Sequence, residues 1–518
     1  MKVNQLKAGV VLGYAGMAVT NIVSLIYTPV MLRFLGKSEY GLYQMVYSVV
    51  SYLGLLNFGF NNAYLKFYSG YRKDNAQEEI RKLNGMFLTT FTALAFIAFL
   101  CGAFLSFHCG ILFSDQGDAS LTGTASVLCM LMTVNLALVF PTGLFEAYAS
   151  AHEQYIFQKV LNITQSVLNP LLTLPLLMAG YRSVSLIIVQ TFLTVCKLAV
   201  NVWFCVKRLD MRFGFRRMQV CVMKEITVFS SYIFINMLVD QINWSVDKLV
   251  IGKIRGTAAV AVYALASQLN RYYMNLSTAV SSVFLPRVNR IAARQGKDMN
   301  RELTDLFCAV GRIQFLILFY ILGGFVILGR YFISLWAGEG YEEVYIITLL
   351  LICPVVIPLI QNLGIEIQRA ENKHKFRSVA YLLIAAVNLL ISIPLTSAFG
   401  AKGAAAGTCA SLLIGNGLIM NLYNHICVKL DMIRFWSQIL HLLLPGLAAL
   451  CAGAVFGKYI NVQSPEEFIL AGALYTLLYA GLEWRFGMND KEKRLVTGPL
   501  EKVKKRLRIL CSGAVRER

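Results

Sequence analysis

The sequence predicts an all-α polytopic membrane protein of about fourteen transmembrane helices. Two six-helix lobes are related by a pseudo-two-fold axis along the membrane normal, and two further helices follow them. Three observations predict it. The 518 residues are 57% hydrophobic and only 15% charged, where a soluble domain carries about 25% charged residues. Apolar stretches of about 20 residues or more, the length that crosses a hydrocarbon core of about 30 Å, recur fourteen times. The chain also repeats itself: residues 169–176 read NPLLTLPL, and residues 388–395, 219 positions later, read NLLISIPL.

In order, the expected spans are 8–34, 39–66, 84–107, 121–149, 158–179, 183–206, 225–252, 258–286, 304–333, 343–369, 377–398, 402–426, 436–457 and 467–486. The first follows Lys2 and Lys7, runs longer than a signal-peptide core and has no small-x-small cleavage site after it, so it is expected to remain as a helix. Pro29, Pro170, Pro175, Pro354, Pro358 and Pro394 fall inside or near span ends, where they supply bends. Gly9-x-x-x-Gly13 and Gly403-x-x-x-Gly407 mark faces where neighbouring backbones approach closely.

The repeat fixes the domain organisation. CVKRLDM at 205–211 returns as CVKLDM at 427–432, and RFLGKSEYGLY at 33–43 is echoed by KIRGTAAVAVY at 253–263. A unit of roughly 215 residues that occurs twice in an apolar chain is the mark of a transporter with its path between the halves. The expected divisions are a first lobe at 1–218, a second at 219–432, two extra helices over 433–490 and a basic tail at 491–518. The tail segment 491–510 would lie on the inner leaflet as a basic amphipathic helix.

Lysine and arginine set the orientation. With the N-terminus inside, inner segments hold 36 of the 48 basic residues, outer segments eight, and four lie within spans. Both termini are therefore expected in the cytoplasm, at the bacterial cell membrane. The formal net charge of +20 is then explained by topology and anionic headgroups, and no nucleic-acid partner is expected.

Chemistry is sparse outside the membrane. No segment between spans exceeds about 35 residues, too few for a soluble catalytic domain, so no enzyme activity and no cofactor are expected. The twelve cysteines never form C-x-x-C, and the five histidines have no partners at helical spacing, so no metal site is expected. Gly36-Lys37-Ser38 lacks the first glycine of a phosphate loop, because Met31 stands there.

Inside the membrane, polar residues fall in stripes. The span at 225–252 carries Asn236, Asp240, Asn243 and Asp247 at spacings of 4, 3 and 4, on one helical face. The span at 258–286 carries Gln268, Arg271, Asn275, Thr278 and Ser282. Asp240 and Arg271 sit at similar depth, roughly 18 and 20 Å from the outer ends of their helices at 1.5 Å per residue. Two readings stay open: a neutralising pair that only locks the second half, or groups that face a water-filled path. Asn162, Gln165 and Asn169 form a further stripe, read as lining the first lobe or as helix–helix hydrogen bonding. Lys197, Arg312, Glu146 and Glu366 lie in the inner parts of spans, either in the cavity or reaching the cytoplasmic interface. Arg33 and Lys253, equivalent in the repeat, stand at outer helix ends as anchors or as guards of an outer gate for an anion. The substrate-binding candidates are thus Arg271, Gln268, Asn275, Asn162, Gln165, Lys197, Arg33 and Lys253. Asp240, Asp247 and Asn388 are the ion-pair or cation-coupling candidates.

The phrases PVMLRFLGKSEYGLYQMVYSVVSYLGLLNFGF, SAHEQYIFQKVLNITQSVLNPL and VDKLVIGKIRGTAAVAVYALASQL resemble the bacterial polysaccharide-transport flippases. Their superfamily also holds the multidrug and toxin extrusion proteins and the lipid II flippases. The resemblance implies twelve to fourteen helices in two six-helix lobes forming a V. It also implies a cargo of undecaprenyl-pyrophosphate-linked oligosaccharide, moved for capsule, O-antigen-like or exopolysaccharide synthesis. Expected partners are that lipid-linked oligosaccharide, the bilayer, Na+ or H+, and polysaccharide polymerase or export machinery. The chain departs from the lipid II flippase pattern: its first two spans hold Asn21, Ser24, Thr28, Gln44, Ser48 and Ser51 in place of clustered arginines. Alternatives are a lipid II flippase and a cation-coupled multidrug exporter, the latter resting on Asp240 and Asp247 and opposed by Arg271.

Overall fold

A computed structural model describes residues 5–109, 119–215, 220–294, 298–371, 373, 375–460, 463–495 and 497–498. Most of the expected tail helix and most of the outer loop at 108–120 lie outside these residues. The described chain is a succession of helices, taken below in order.

Helix α1 is the run Gln5–Leu53, and Gly36 is its non-helical residue (φ 73°, ψ 174°). That backbone geometry carries no penalty for glycine because it lacks a Cβ. The apolar run Ala8–Lys73 counts as a single candidate span of 66 residues, which at 1.5 Å per residue would be roughly 100 Å long, about three membrane thicknesses. The corner at Gly36 therefore separates the two spans expected at 8–34 and 39–66. The second ends early: a 3-10 turn at Gly54–Asn57 and left-handed Phe58 and Gly59 break it before α2, Phe60–Lys73.

The helices α3 (Gln77–Phe107), α4 (Ala119–Ala151), α5 (Tyr155–Met178) and α6 (Arg182–Trp203) complete the first stretch. Then follow α7 (Val220–Arg255), α8 (Thr257–Ala293), α9 (Met299–Ala337), α10 (Glu343–Ile360), α11 (Asn362–Ala370) and α12 (Lys375–Phe399). The last are α13 (Ala401–Leu412), α14 (Met420–Ile426), α15 (Met432–Ile460) and α16 (Pro465–Leu482). The span expected at 343–369 is divided at Gln361 into α10 and α11, downstream of Pro354 and Pro358, each of which removes a helical N–H donor. Eleven helices among the described residues are long and apolar enough to cross a membrane. Helices α8 and α16, expected as spans, are not among them.

Contacts group the chain into two compact units. Unit 1 is Met1–Tyr272, Trp336–Leu351 and Ser378–Ser411; unit 2 is Tyr273–Leu335, Ile352–Arg377 and Leu412–Arg518. In unit 1 an aromatic core joins Phe60, Tyr64, Phe87, Phe91, Leu144 and Tyr148. Tyr64 and Phe87 meet edge to face at 5.1 Å, the geometry that the ring quadrupole favours. Both small-residue motifs are contact points within unit 1. A Cβ on Gly9 would lie 2.6 Å from Tyr155 Cβ on α5, and a Cβ on Gly403 would lie 1.9 Å from the Leu395 carbonyl oxygen on α12.

Unit 2 is built differently, with α16 tied to α9 by hydroxyls. Tyr475 donates to the Tyr320 carbonyl (3.0 Å) and Tyr479 to the Leu316 carbonyl (2.9 Å). These bonds place two phenols in an apolar layer while satisfying their O–H groups.

The repeated phrases fold alike locally. Thr173 lies four residues after Asn169 and donates to its side-chain oxygen at 3.3 Å; Ser392 lies four after Asn388 and does the same at 3.0 Å. Within the second phrase pair, Asp210 and Lys429 both turn the chain with positive φ, 51° and 63°.

Candidate functional site

Within unit 1, α7 and α8 meet the polar faces of α1 through Lys248 and through Gln268 with Tyr272. Gln268, on α8, shares its amide N–H groups among Ser24 Oγ (3.1 Å), Thr28 Oγ1 (2.9 Å) and the Tyr272 hydroxyl (2.6 Å). Tyr272 in turn donates to Ser24 Oγ at 2.7 Å. One turn from Gln268, Arg271 is exposed.

Lys248, on α7, is the cation that the sequence reading passed over. Its side chain is buried, with 6% of the residue exposed, and its ammonium donates to Gln44 Oε1 on α1 at 3.3 Å. Gln44 uses its own N–H to reach the Tyr40 hydroxyl, 3.0 Å away. Arg271 lies within electrostatic range of Lys248. Two cations thus stand near one another, and the bonds on Lys248's side come from a neutral amide. Nothing in a single sequence shows that Gln44 and Lys248, 204 positions apart, meet.

Asp247 faces another way. Adjacent residues on a helix point about 100° apart, so Asp247 turns from α1 toward α8 and α13. It is 3% exposed and accepts hydrogen bonds from the Tyr263 hydroxyl and from Thr408 Oγ1, the latter at 2.9 Å. A buried carboxylate needs such donors to offset its lost hydration.

The remaining candidates are distributed. Asn388 is buried and bonded to Ser392. Asp240 is exposed, as are Asn162, Arg33 and Lys253; Gln165 and Asn275 are half-buried. Lys197 pairs with Glu146 at 2.6 Å, so the two groups read separately as cavity or interface residues form one ion pair. Lys253 lines an apolar cavity of about 340 Å³ with Met45, Val49, Tyr52, Leu53, Leu105 and Leu249. Asn169 donates to Gln190 on α6, which answers for this residue the choice between path lining and helix–helix bonding in favour of the latter.

A helical chain with eleven helices among the described residues long and apolar enough to cross a membrane, and with an internal sequence repeat, has the make-up of a multi-pass membrane protein. Comparison with known proteins gives it a family. Residues 6–292, more than half of the chain, match the family described as polysaccharide biosynthesis protein, and the chain belongs to that family. It is similar to the uncharacterized membrane protein EpsK of Bacillus subtilis (strain 168), 20% identical over 312 residues. That match covers 58% of this chain, which spans 58% of the relative's length. Among solved structures it shares the fold of the lipid II flippase MurJ in an inward closed conformation, with a TM-score of 0.72, 16% identity and coverage of 91% of this chain and 97% of that one. An inward-facing multidrug resistance MATE family transporter of the MOP superfamily follows, with a TM-score of 0.58, 11% identity and coverage of 81% and 96%.

Proposed function

We propose that the chain is a flippase that moves undecaprenyl-pyrophosphate-linked oligosaccharide repeat units across the bacterial cytoplasmic membrane by alternating access of lobes 1–218 and 219–432, for capsule, O-antigen-like or exopolysaccharide synthesis. The observation that carries this reading is the exposed Arg271 in electrostatic range of the buried Lys248, beside a hydroxyl and amide surface made by Ser24, Thr28, Gln268 and Tyr272. Like charges in a span raise its free energy. A pyrophosphate relieves that cost and takes a forked bond from the guanidinium. Neutral donors and acceptors on the same helices suit sugar hydroxyls, and the polyprenyl tail stays in lipid.

In this reading Arg271 and Lys248 engage the pyrophosphate, while Gln268 and Asn275 on α8 and Asn162 and Gln165 on α5 serve the sugars. Asp240, Asp247 and Asn388 serve the return step, as counter-ion or as the place where Na+ or H+ acts. The acidic groups alone would suit an exporter of cationic drugs, but two neighbouring cations, Lys248 on α7 and Arg271 on α8, oppose a cationic cargo.

The test is flipping of a fluorescent undecaprenyl-pyrophosphate oligosaccharide in proteoliposomes at matched protein content. Arg271→Ala is expected to abolish flipping and Arg271→Lys to restore it only in part, because the forked geometry is lost. Equal rates for wild type and Arg271→Ala would sink the assignment. Labels at Arg72 and at the C-terminus are expected to report cytoplasm and a label at Glu339 the outside; an outside C-terminus would overturn the orientation.

A further inference from the structure

Unit 2 holds a second buried charge cluster, far along the chain from the polar stripes and used by nothing above. Arg312, on α9, is 5% exposed, so it neither lines a wet cavity nor reaches the interface, the two places its sequence position allows. Its guanidinium makes a fork with Glu492, Nε to Oε1 at 2.6 Å and Nη2 to Oε2 at 2.8 Å. It also donates to the Gln438 carbonyl on α15 and to the Gly487 carbonyl, both at 2.9 Å. Asn489 completes the arrangement: its backbone N–H donates to Glu492 and its side chain accepts from the Glu492 N–H, each at 2.9 Å. Arg312 thereby fastens the segment after α16 to α9.

Beside this pair lies Glu483, directly after α16. It is 0% exposed, and neither carboxyl oxygen has a hydrogen-bond partner among the described residues. The charged and titratable groups that act on it are Arg312 from α9, Glu492 from the segment that follows, and Tyr475 and Tyr479 on its own helix. The two phenols spend their protons on carbonyls of α9. Glycine backbone approaches both oxygens: a Cβ on Gly446 of α15 would lie 3.2 Å from Oε1, and a Cβ on Gly487 would lie 1.9 Å from Oε2.

An ionised carboxylate that is fully buried and has no protein donor would be an uncompensated charge in the interior. The Arg312 charge is already balanced by Glu492. The cluster is neutral only with one proton on its two carboxyls, and the hydrogen bonds on Glu492 put that proton on the other. We propose that Glu483 is a proton-binding site, a carboxylic acid held neutral in the core of unit 2, whose proton leaves Arg312 free to hold Glu492. When the proton departs, two carboxylates share one guanidinium and the fastening of the 488–495 segment loosens. The ligand is a proton, the smallest species that neutralises a carboxylate 0% exposed to solvent.

The experiment uses the full chain in nanodiscs at neutral pH. Infrared difference spectroscopy is expected to find a protonated carboxylic acid band in the wild type that is lost in Glu483→Gln. The band is also expected to vanish in Glu492→Gln, because Arg312 then needs Glu483 as its anion. Both single variants are expected to melt close to the wild type, and Glu483→Gln/Glu492→Gln to melt lower than the two shifts combined, since Arg312 then keeps no counter-charge. An unchanged acid band in Glu483→Gln overturns the proposal, and that comparison stands even if the Glu492 variant does not fold. A band retained in Glu492→Gln together with additive melting shifts overturns it as well.

Discussion

Replacing Lys248 by Met separates a substrate-binding cation from a structural one, because the two roles give opposite signs. The ammonium is buried and held by a neutral amide oxygen at 3.3 Å, near a second cation. Burying an ion costs several kcal/mol after relaxation, a single charge-assisted bond returns about 1.5–3 kcal/mol, and a like charge nearby adds to the deficit. Met fills a similar volume without the charge, so the empty protein is expected to melt at the same temperature or higher. Binding should move the other way. Loss of one charge-assisted bond to a pyrophosphate oxygen, about 1.5–3 kcal/mol, corresponds to roughly ten- to 140-fold weaker affinity at 1.4 kcal/mol per decade. The assay pairs thermal melting in detergent with titration of undecaprenyl pyrophosphate, followed by intrinsic fluorescence. A variant that melts lower yet binds with unchanged affinity would refute the reasoning and make Lys248 a packing residue tied to Gln44.

Two further predictions concern packing and pH. Gly403→Ala is expected to destabilise by about 1–3 kcal/mol or more, because its Cβ would sit 1.9 Å from the Leu395 carbonyl oxygen. Gly70→Ala, with nothing within 4 Å, serves as the control and is expected to be neutral or better in the same melting assay. His152, in the short connection between α4 and α5, is held below the ordinary histidine value chiefly by burial, with the Arg72 charge acting in the same direction and the bond to the Tyr148 carbonyl opposing both. The fold therefore favours the neutral ring, which lies 3.1 Å from the Tyr68 hydroxyl. Its contribution is present above the unfolded value of about 6.5 and is lost as pH falls through that value toward the folded one. Melting temperature should thus fall with acidification from pH 7, and His152→Asn should flatten the slope; an unchanged slope would remove His152 as its source.

The elements were legible where composition and period decide them, and less so where the chain bends. The corner at Gly36 and the repeat at Asn169 and Asn388 can be read directly, because glycine freedom and a preserved Asn–Pro spacing are local properties. The early end of the second span is not local. It rests on left-handed Phe58, a residue that shows no turn signature, stacked on Phe234 at 4.7 Å. Within the site, periodicity finds the stripes on α7 and α8 but not their partners. Gln44, Ser24 and Thr28 read only as polar faces of α1, and their pairing with Lys248 and Gln268 spans more than 200 positions. Depth along a helix suggests Asp240 as the neighbour of Arg271. What depth cannot supply is the rotation of each helix about its own axis, and that rotation is what brings Lys248 into the field of Arg271.

That rotation also bears on mechanism. Asp247 and Lys248 are consecutive on α7, yet one is fastened to Tyr263 and Thr408 and the other to Gln44. Backbone hydrogen bonds make a helix stiff over a single residue step, so the two side chains turn together. A turn of α7 that carries Lys248 away from Gln44 and toward an anion must also change the angle at which Asp247 meets its hydroxyl donors. Weakening those donors makes the carboxylate a better acceptor for a proton or Na+. In the proposed reading, the anion and the coupling cation are therefore linked by one rigid element, with no relay between distant sites. The linkage is reciprocal, as any coupling between two binding equilibria must be. Thr408→Val, which removes one donor from Asp247, should then alter the affinity for undecaprenyl pyrophosphate as well as the ion dependence of flipping. A variant that changes the ion dependence alone, with pyrophosphate affinity held to the wild-type value at every ion concentration, would show that the two faces of α7 act independently.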